Sequence, residues 1–377
     1  MVMITEVQFL KLIHFPNKIP TFEQFKKKAT IKRDNGTKRS MSNEKSVTTA
    51  HMRALWMFFF KNGKDTLTNH YKLNLLPKEF DEGKKTDYVK KRAIYASSNR
   101  PQKNRIKNLF FKELYFQTTT GLKNAPPNYY IVLRDIYRSF AFNYRLVTPY
   151  AVDIFRKQKG IMSMLSGVYF RASVYSPVFF YWVYNVLIGN KRNVKVLAPT
   201  LSWCSSLLAS TQNDRISEFV GIDVIPRVCS EARKLLAKSN LSGEIWCAPS
   251  ESLNGNPKFK KKYMNRFDVA LFSPPFFRLE LYKGGKQSTS LYKTSDEWLE
   301  KYWEKTCAMC KYTLKQNGIF AYTIINYDDE AALVKDMNRI AKKYFKYKGN
   351  YVIHTTQVTY SKHGSDKQAN EILFVFN

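Results

Sequence analysis

The chain has 377 residues, room for two or three domains, and carries 62 Lys and Arg against 30 Asp and Glu, a formal net charge of +32. Such an excess of base predicts a polyanionic partner; AT-rich codon usage is an alternative source of the lysines but does not account for the shortage of acids. Five cysteines without a framework spacing exclude a disulfide scaffold and point to a reducing, intracellular compartment.

The first stretch, MVMITEVQFLKLIHFP, carries Glu6 and Lys11 inside its apolar part, so no secretory signal is expected. Residues 1–150 hold 29 Lys and Arg and 11 Asp and Glu, more than half of the excess charge in two fifths of the length. This part is read as a basic, mainly helical region. VTTAHMRALWMFFFKNG sets Met52, Leu55, Trp56 and Phe59 at helical spacing, and NYYIVLRDIYRSFAFNYR does the same with Ile131, Leu133, Ile136 and Phe140. FKKKATIKRDNGTKRS and DEGKKTDYVKKRAIYASSNRPQKNRIKN read as basic loops, either gripping phosphates or merely solvated.

From 151 onward a second domain is expected. YSPVFFYWVYNVLIGN, from Tyr175, is the most apolar run, yet it falls short of the roughly 20 residues a spanning helix needs, and a soluble protein is expected. VKVLAPT, EFVGIDV, GEIWCAP, FDVALFSPP and GIFAYTIINY are apolar and strand-like, each followed by a segment able to form a helix. That alternation predicts a parallel sheet covered on both faces. NYVIHTTQVTY and ANEILFVFN, joined by SKHGSDKQ, predict an antiparallel hairpin at one edge.

In such a sheet ligands bind beyond the carboxyl ends of the strands. Attention therefore falls on APTLSWC, GIDVIP, APSESL and SPPFF. The last is unusual: a buried strand runs into Ser273, Pro274, Pro275 and two aromatics, where Gly, Asn or Asp commonly make the turn. RLELYKGGKQSTSLYKTSDEW then delays the next helix, and Gly284 and Gly285 suggest a mobile tip, either a lid or a solvated insertion. The helix that follows places Trp298 and Trp303 on the sheet, buries the Cys307/Cys310 pair as packing, and is expected to end at Gly318.

The acid Asp223 at a strand end, Ser-Pro-Pro-Phe two strands later and a terminal hairpin together resemble the S-adenosylmethionine-dependent amino-methyltransferases of nucleic-acid bases, over roughly Ser176 to Asn377. The resemblance implies a class I methyltransferase, a Rossmann-like α/β seven-stranded sheet with that terminal hairpin. Ser in first place looks most like the cytosine N4 branch, so DNA cytosine N4 is expected before adenine N6, and DNA before RNA. It also implies that Asp223 accepts hydrogen bonds from the cofactor ribose, and that Ser176 and Pro177 match the segment lining the cofactor's methionine end. Glu251 either caps its helix or approaches the adenine amino group.

For the motif itself, Ser273 Oγ and the Pro274 carbonyl would accept from the two N–H bonds of an exocyclic amine. This frees its lone pair, while Pro275 stiffens the turn and Phe276 stacks on the flipped base. The first strand departs from the family, since Ala198 to Cys204 hold no acid and no glycine: at these cofactor positions Ala198 cannot bind the cofactor's amino group, Ser202 is small enough to leave some room, and Trp203 either packs over the adenosine or fills its site. Two readings follow, an active methyltransferase or a methyltransferase fold retained as a nucleic-acid-binding or structural component. The composition and divergence suit a virus or phage with an AT-rich genome.

Overall fold

The computed structural model describes residues 2–95, 100–121, 125–157, 161–325, 331–354 and 371–377. The expected hairpin linker SKHGSDKQ and the end of NYVIHTTQVTY lie outside them, as do residues 96–99 of the second basic run. In chain order the described strands are β1 (Thr30–Lys32), β2 (Lys38–Ser40), β3 (Val89–Lys90), β4 (Ala93–Tyr95), β5 (Ala141–Asn143), β6 (Val194–Ala198), β7 (Ile216–Asp223), β8 (Ser242–Cys247), β9 (Phe267–Phe272), β10 (Leu314–Ile325), β11 (Tyr347–His354) and β12 (Glu371–Phe376).

They belong to two compact units whose division differs from the boundary expected at 150. One unit comprises residues 2–77 and 107–173; the other comprises 78–106 and 174–377. The difference arises because VKKRAIY is not a solvated loop. Ile94 is fully buried, and β4 pairs in parallel with β11 through Ala93–Val352 and Ile94–Ile353.

The first unit is mainly helical. Thr5, Thr21 and Thr48 each cap a helix in a reciprocal box with the residue three positions on, Gln8, Gln24 and His51. FKKKATIKRDNGTKRS is ordered rather than loop-like: the helix Phe22–Lys28 leads into β1, and β1 pairs antiparallel with β2 and parallel with β5. The core is aromatic. Phe59 meets Phe142 edge-on at 5.4 Å and Phe60 stacks on Phe140 at 5.4 Å. His70, buried against Tyr130, is driven down to about 3 chiefly by loss of water, so it is neutral.

The second unit is built on a nine-stranded sheet of order β3-β4-β11-β12-β10-β9-β6-β7-β8. The strands β10, β9, β6, β7 and β8 run parallel, and β12 is antiparallel to both β10 and β11. This is the expected α/β sheet with its terminal hairpin; the short β3 and β4 continue it beyond β11, so the hairpin is not the edge. The helix Pro226–Leu236 buries Val228, Cys229, Ala232, Leu235 and Leu236, one face at helical spacing.

Trp298 and Trp303 are fully buried, and Trp303 sits 4.7 Å from Tyr322 and 5.9 Å from Phe272. Burial of rings this large makes Trp303→Ala worth about 3–5 kcal/mol. The helix Lys305–Thr313 carries buried Cys307 and Cys310 but stops at Thr313, not Gly318. β10 begins at Leu314 and slips register before Ile319, which puts Gly318 inside the strand. Among the described residues no helix is long and apolar enough to cross a membrane.

Candidate functional site

The strand order reverses at β6, which pairs in parallel with β7 on one side and β9 on the other. Crevices in open α/β sheets form at such a point, beyond the carboxyl ends. Ser273, Pro274, Pro275 and Phe276 leave β9 there, Ala198 ends β6, Asp223 ends β7, and Glu251 follows β8.

Ser273 is half-buried and held at both ends. Its carbonyl accepts from Thr200 Oγ1 at 2.6 Å, and its hydroxyl donates to Tyr175 Oη at 3.5 Å. Among the described residues nothing donates to the Pro274 carbonyl. The two aromatics that look exposed in the sequence are not: Phe276 keeps 9% and Phe277 6% of its surface, both within the core cluster of Trp298 and Phe272. Apolar rings beside a prolyl turn gain more from the neighbouring helices than from water.

The turn after β6 carries the least ordinary backbone of the site. Ser202, Trp203 and Cys204 have φ of 46°, 57° and 66°, three successive left-handed residues of which none is glycine. Ala198 is fully buried and faces Gly221 of β7 in register. A Cβ on Gly221 would stand 2.3 Å from Leu201 Cδ2, so the turn packs directly on β7 and the Leu201 side chain would have to shift for any larger residue. Ser202 Oγ is buried without a hydrogen-bond partner.

Asp223 binds this turn to β7. Its carboxylate accepts the Ile225 N–H at 2.9 Å and is held also by the Leu201 and Val224 N–H groups. Burial outweighs those bonds and pushes it up to about 6. The Asp223 carbonyl accepts from Ala248 N at 3.0 Å, tying in the end of β8. Glu251, in the first turn of the short helix Ser250–Gly255, is buried; loss of water raises its carboxyl, and Tyr292 donates to it at 3.3 Å.

Ser176 precedes the helix Pro177–Ile188, with Pro177 in its first turn, and Ser176 Oγ is likewise buried and unpartnered. The carbonyl of Tyr175 accepts from Ser205 Oγ at 2.9 Å, which fastens this segment to the turn after β6. The structure thus gathers Ser176, Ser202, Asp223 and Ser273 around three strand ends. Thr200, Tyr175 and Thr323 join them unannounced by spacing, since a hydroxyl residue in an apolar run is ordinary in sequence.

Residues 278–294 are not a free tip. Tyr282 meets Trp203 edge-on at 5.3 Å, Gly285 lies against Val224, and Tyr292 reaches Glu251. The segment reaches the turns that follow β6, β7 and β8.

No protein-family model matches the sequence, and no curated protein matches it. Solved structures do. A TehB-like S-adenosylmethionine-dependent methyltransferase from Corynebacterium glutamicum is 9% identical, covering 52% of this chain and 85% of its own, with TM-score 0.32. A class I S-adenosylmethionine-dependent methyltransferase described as putative, from Listeria monocytogenes, is 12% identical over 53% and 58% of the two chains, with TM-score 0.37. Spermidine synthase from Thermotoga maritima is 18% identical over 50% and 54%, with TM-score 0.30. At these TM-scores the likeness is loose, and the fold is read from the strand order.

Proposed function

We propose that the chain transfers a methyl group from S-adenosylmethionine to an exocyclic amino group of a nucleic-acid base, DNA cytosine N4 before adenine N6. The observation that carries this reading is Ser273-Pro274 leaving β9 at the switch point, with the Pro274 carbonyl bonded to no described residue and Asp223 two strands away. The residues fit the cofactor in kind. Asp223 offers a carboxylate for ribose hydroxyls, and Ser176 and Ser202 offer two buried hydroxyls without partners.

When bound, S-adenosylmethionine would supply the methyl group as an electrophile: the N–C bond forms, the S–C bond pair stays on sulfur, and the displaced N–H proton passes to solvent water. Ser273 Oγ and the Pro274 carbonyl accept from the two N–H bonds and turn the nitrogen lone pair out of the ring. Thr200 fixes the Ser273 main chain through its carbonyl. Phe276, held at the end of this turn, meets the base with the little surface it exposes. The basic first unit neutralises phosphates in a sequence-independent way.

A second reading, a methyltransferase fold that binds nucleic acid without transfer, is favoured by the segment 278–294 packed on Val224, Trp203 and Glu251. Tritiated cofactor with mixed DNA and RNA separates the two. Label on an exocyclic amino group, lost in Ser273→Ala with nucleic-acid binding retained, supports transfer. Equal background label from wild type and Ser273→Ala, with binding intact in both, leaves the second reading.

A further inference from the structure

The Ser273 hydroxyl has one proton and rotates freely, so by itself it donates to an incoming amine as readily as it accepts. Activation of the amine requires acceptance alone. In the structure Ser273 Oγ lies 3.5 Å from Tyr175 Oη, a long hydrogen bond, and Tyr175 Oη lies 3.0 Å from Thr323 Oγ1 on β10, where either hydroxyl can donate. A phenol also has one proton. If Tyr175 accepts from Ser273, its own proton goes to Thr323, which is fully buried and offers no competing water.

Tyr175 is itself immobilised. Its ring stacks on Phe179 at 5.3 Å and 19°, and its carbonyl is held by Ser205. We infer that Tyr175 is a positioning residue: the directed chain Ser273 to Tyr175 to Thr323 leaves the Ser273 lone pairs facing the substrate amine and makes Ser273 an acceptor only. This inference rests on the amino-methyl transfer proposed above.

The test uses the full chain with Tyr175→Phe, which keeps the stacked ring, in the wild-type and Ser273→Asp backgrounds. A carboxylate has no proton to direct. Tyr175→Phe is expected to slow single-turnover methyl transfer about tenfold or more with Kd for the cofactor within about twofold, and to change the Ser273→Asp rate by no more than about twofold. Unchanged rates in Tyr175→Phe, or an equal loss in both backgrounds, overturn the inference and leave the transfer reading intact.

A binding arm separates the two failures. The probe is single-stranded DNA carrying one cytosine, compared with the same strand carrying 2-pyrimidinone, which lacks the amino group. Wild type is expected to favour the cytosine strand about threefold or more, and Tyr175→Phe to lose that preference because Ser273 can then turn its proton outward. If wild type transfers no methyl but shows this preference and the variant loses it, the transfer reading fails and the positioning of Ser273 stands. If neither protein discriminates, the inference fails.

Discussion

Gly285 lies so close over the carbonyl of Val224 that a Cβ at 285 would stand 1.7 Å from that oxygen. Val224 immediately follows Asp223, so this contact lies beside the carboxylate at the end of β7. Gly285 also has φ of 67°, which an L side chain resists. Gly285→Ala is therefore expected to lift the segment, at a cost of about 1–3 kcal/mol in stability. Limited proteolysis should cut faster within 278–294 in the variant. Equal cleavage and equal thermal midpoints would show that the segment does not depend on this contact.

If Asp223 holds the cofactor ribose as proposed, cofactor affinity depends on pH. Its carboxyl titrates at about 6, and only the ionised form is a full acceptor for ribose hydroxyls. Affinity for S-adenosylmethionine should rise as pH increases through about 6 and level off above. Asp223→Asn should flatten that profile and weaken binding by about 1.5–3 kcal/mol near neutrality. Calorimetric titration on both sides of this pH decides it; a wild-type profile parallel to that of the variant removes Asp223 from the site.

Ser202 holds φ of 46° and its hydroxyl makes no hydrogen bond. Glycine tolerates that backbone without steric cost, so Ser202→Gly should stabilise the fold by about 0.5–1 kcal/mol despite the added freedom of the unfolded chain. Urea unfolding measures the shift. A loss of stability would mean that Ser202 Oγ has a partner in solution.

Glu371 opens β12 as a 95% buried acid whose Oε1 has no partner among the described residues, and burial pushes it up to about 8 from the usual 4.5, against a smaller pull from Lys103. The folded chain then keeps a proton that the unfolded chain releases. Stability declines as pH rises from about 4.5 to about 8, by a few kcal/mol, and is flat above. Glu371→Gln carries no such titration, so its advantage over wild type should grow across that window. Denaturant unfolding at several pH values checks this; two parallel curves would contradict it.

The sheet was legible because its strands are long apolar runs between turn residues, from VKVLA to EILFVF. The places of Asp223 and Ser273 at strand ends were legible because each is a polar residue that closes an apolar run. The strands β3 and β4 were not, since two- and three-residue strands inside a lysine run carry no period, and Ile94 alone is their buried anchor. The burial of Phe276 was equally hidden: SPPFF fixes the local backbone but says nothing of the tryptophan helix that comes to rest on it. Gly284 and Gly285 signal conformational freedom in sequence, whereas at Gly285 the missing side chain serves close approach.

The pairing of Ala93 with Val352 also orders events in time. When β4 leaves the ribosome its partner is some 260 residues from being made, roughly 10–50 s at ordinary elongation rates of ~5–20 residues per second. Residues 2–77 and 107–173 can meanwhile close on each other, with 78–106 looped out between them and its strand edge bare. Completion of the sheet thus waits until β11 and β12 have left the ribosome. A nascent chain stalled before β11 would hold a finished helical unit beside an open β edge, the form in which this protein is most exposed to aggregation and to chaperones.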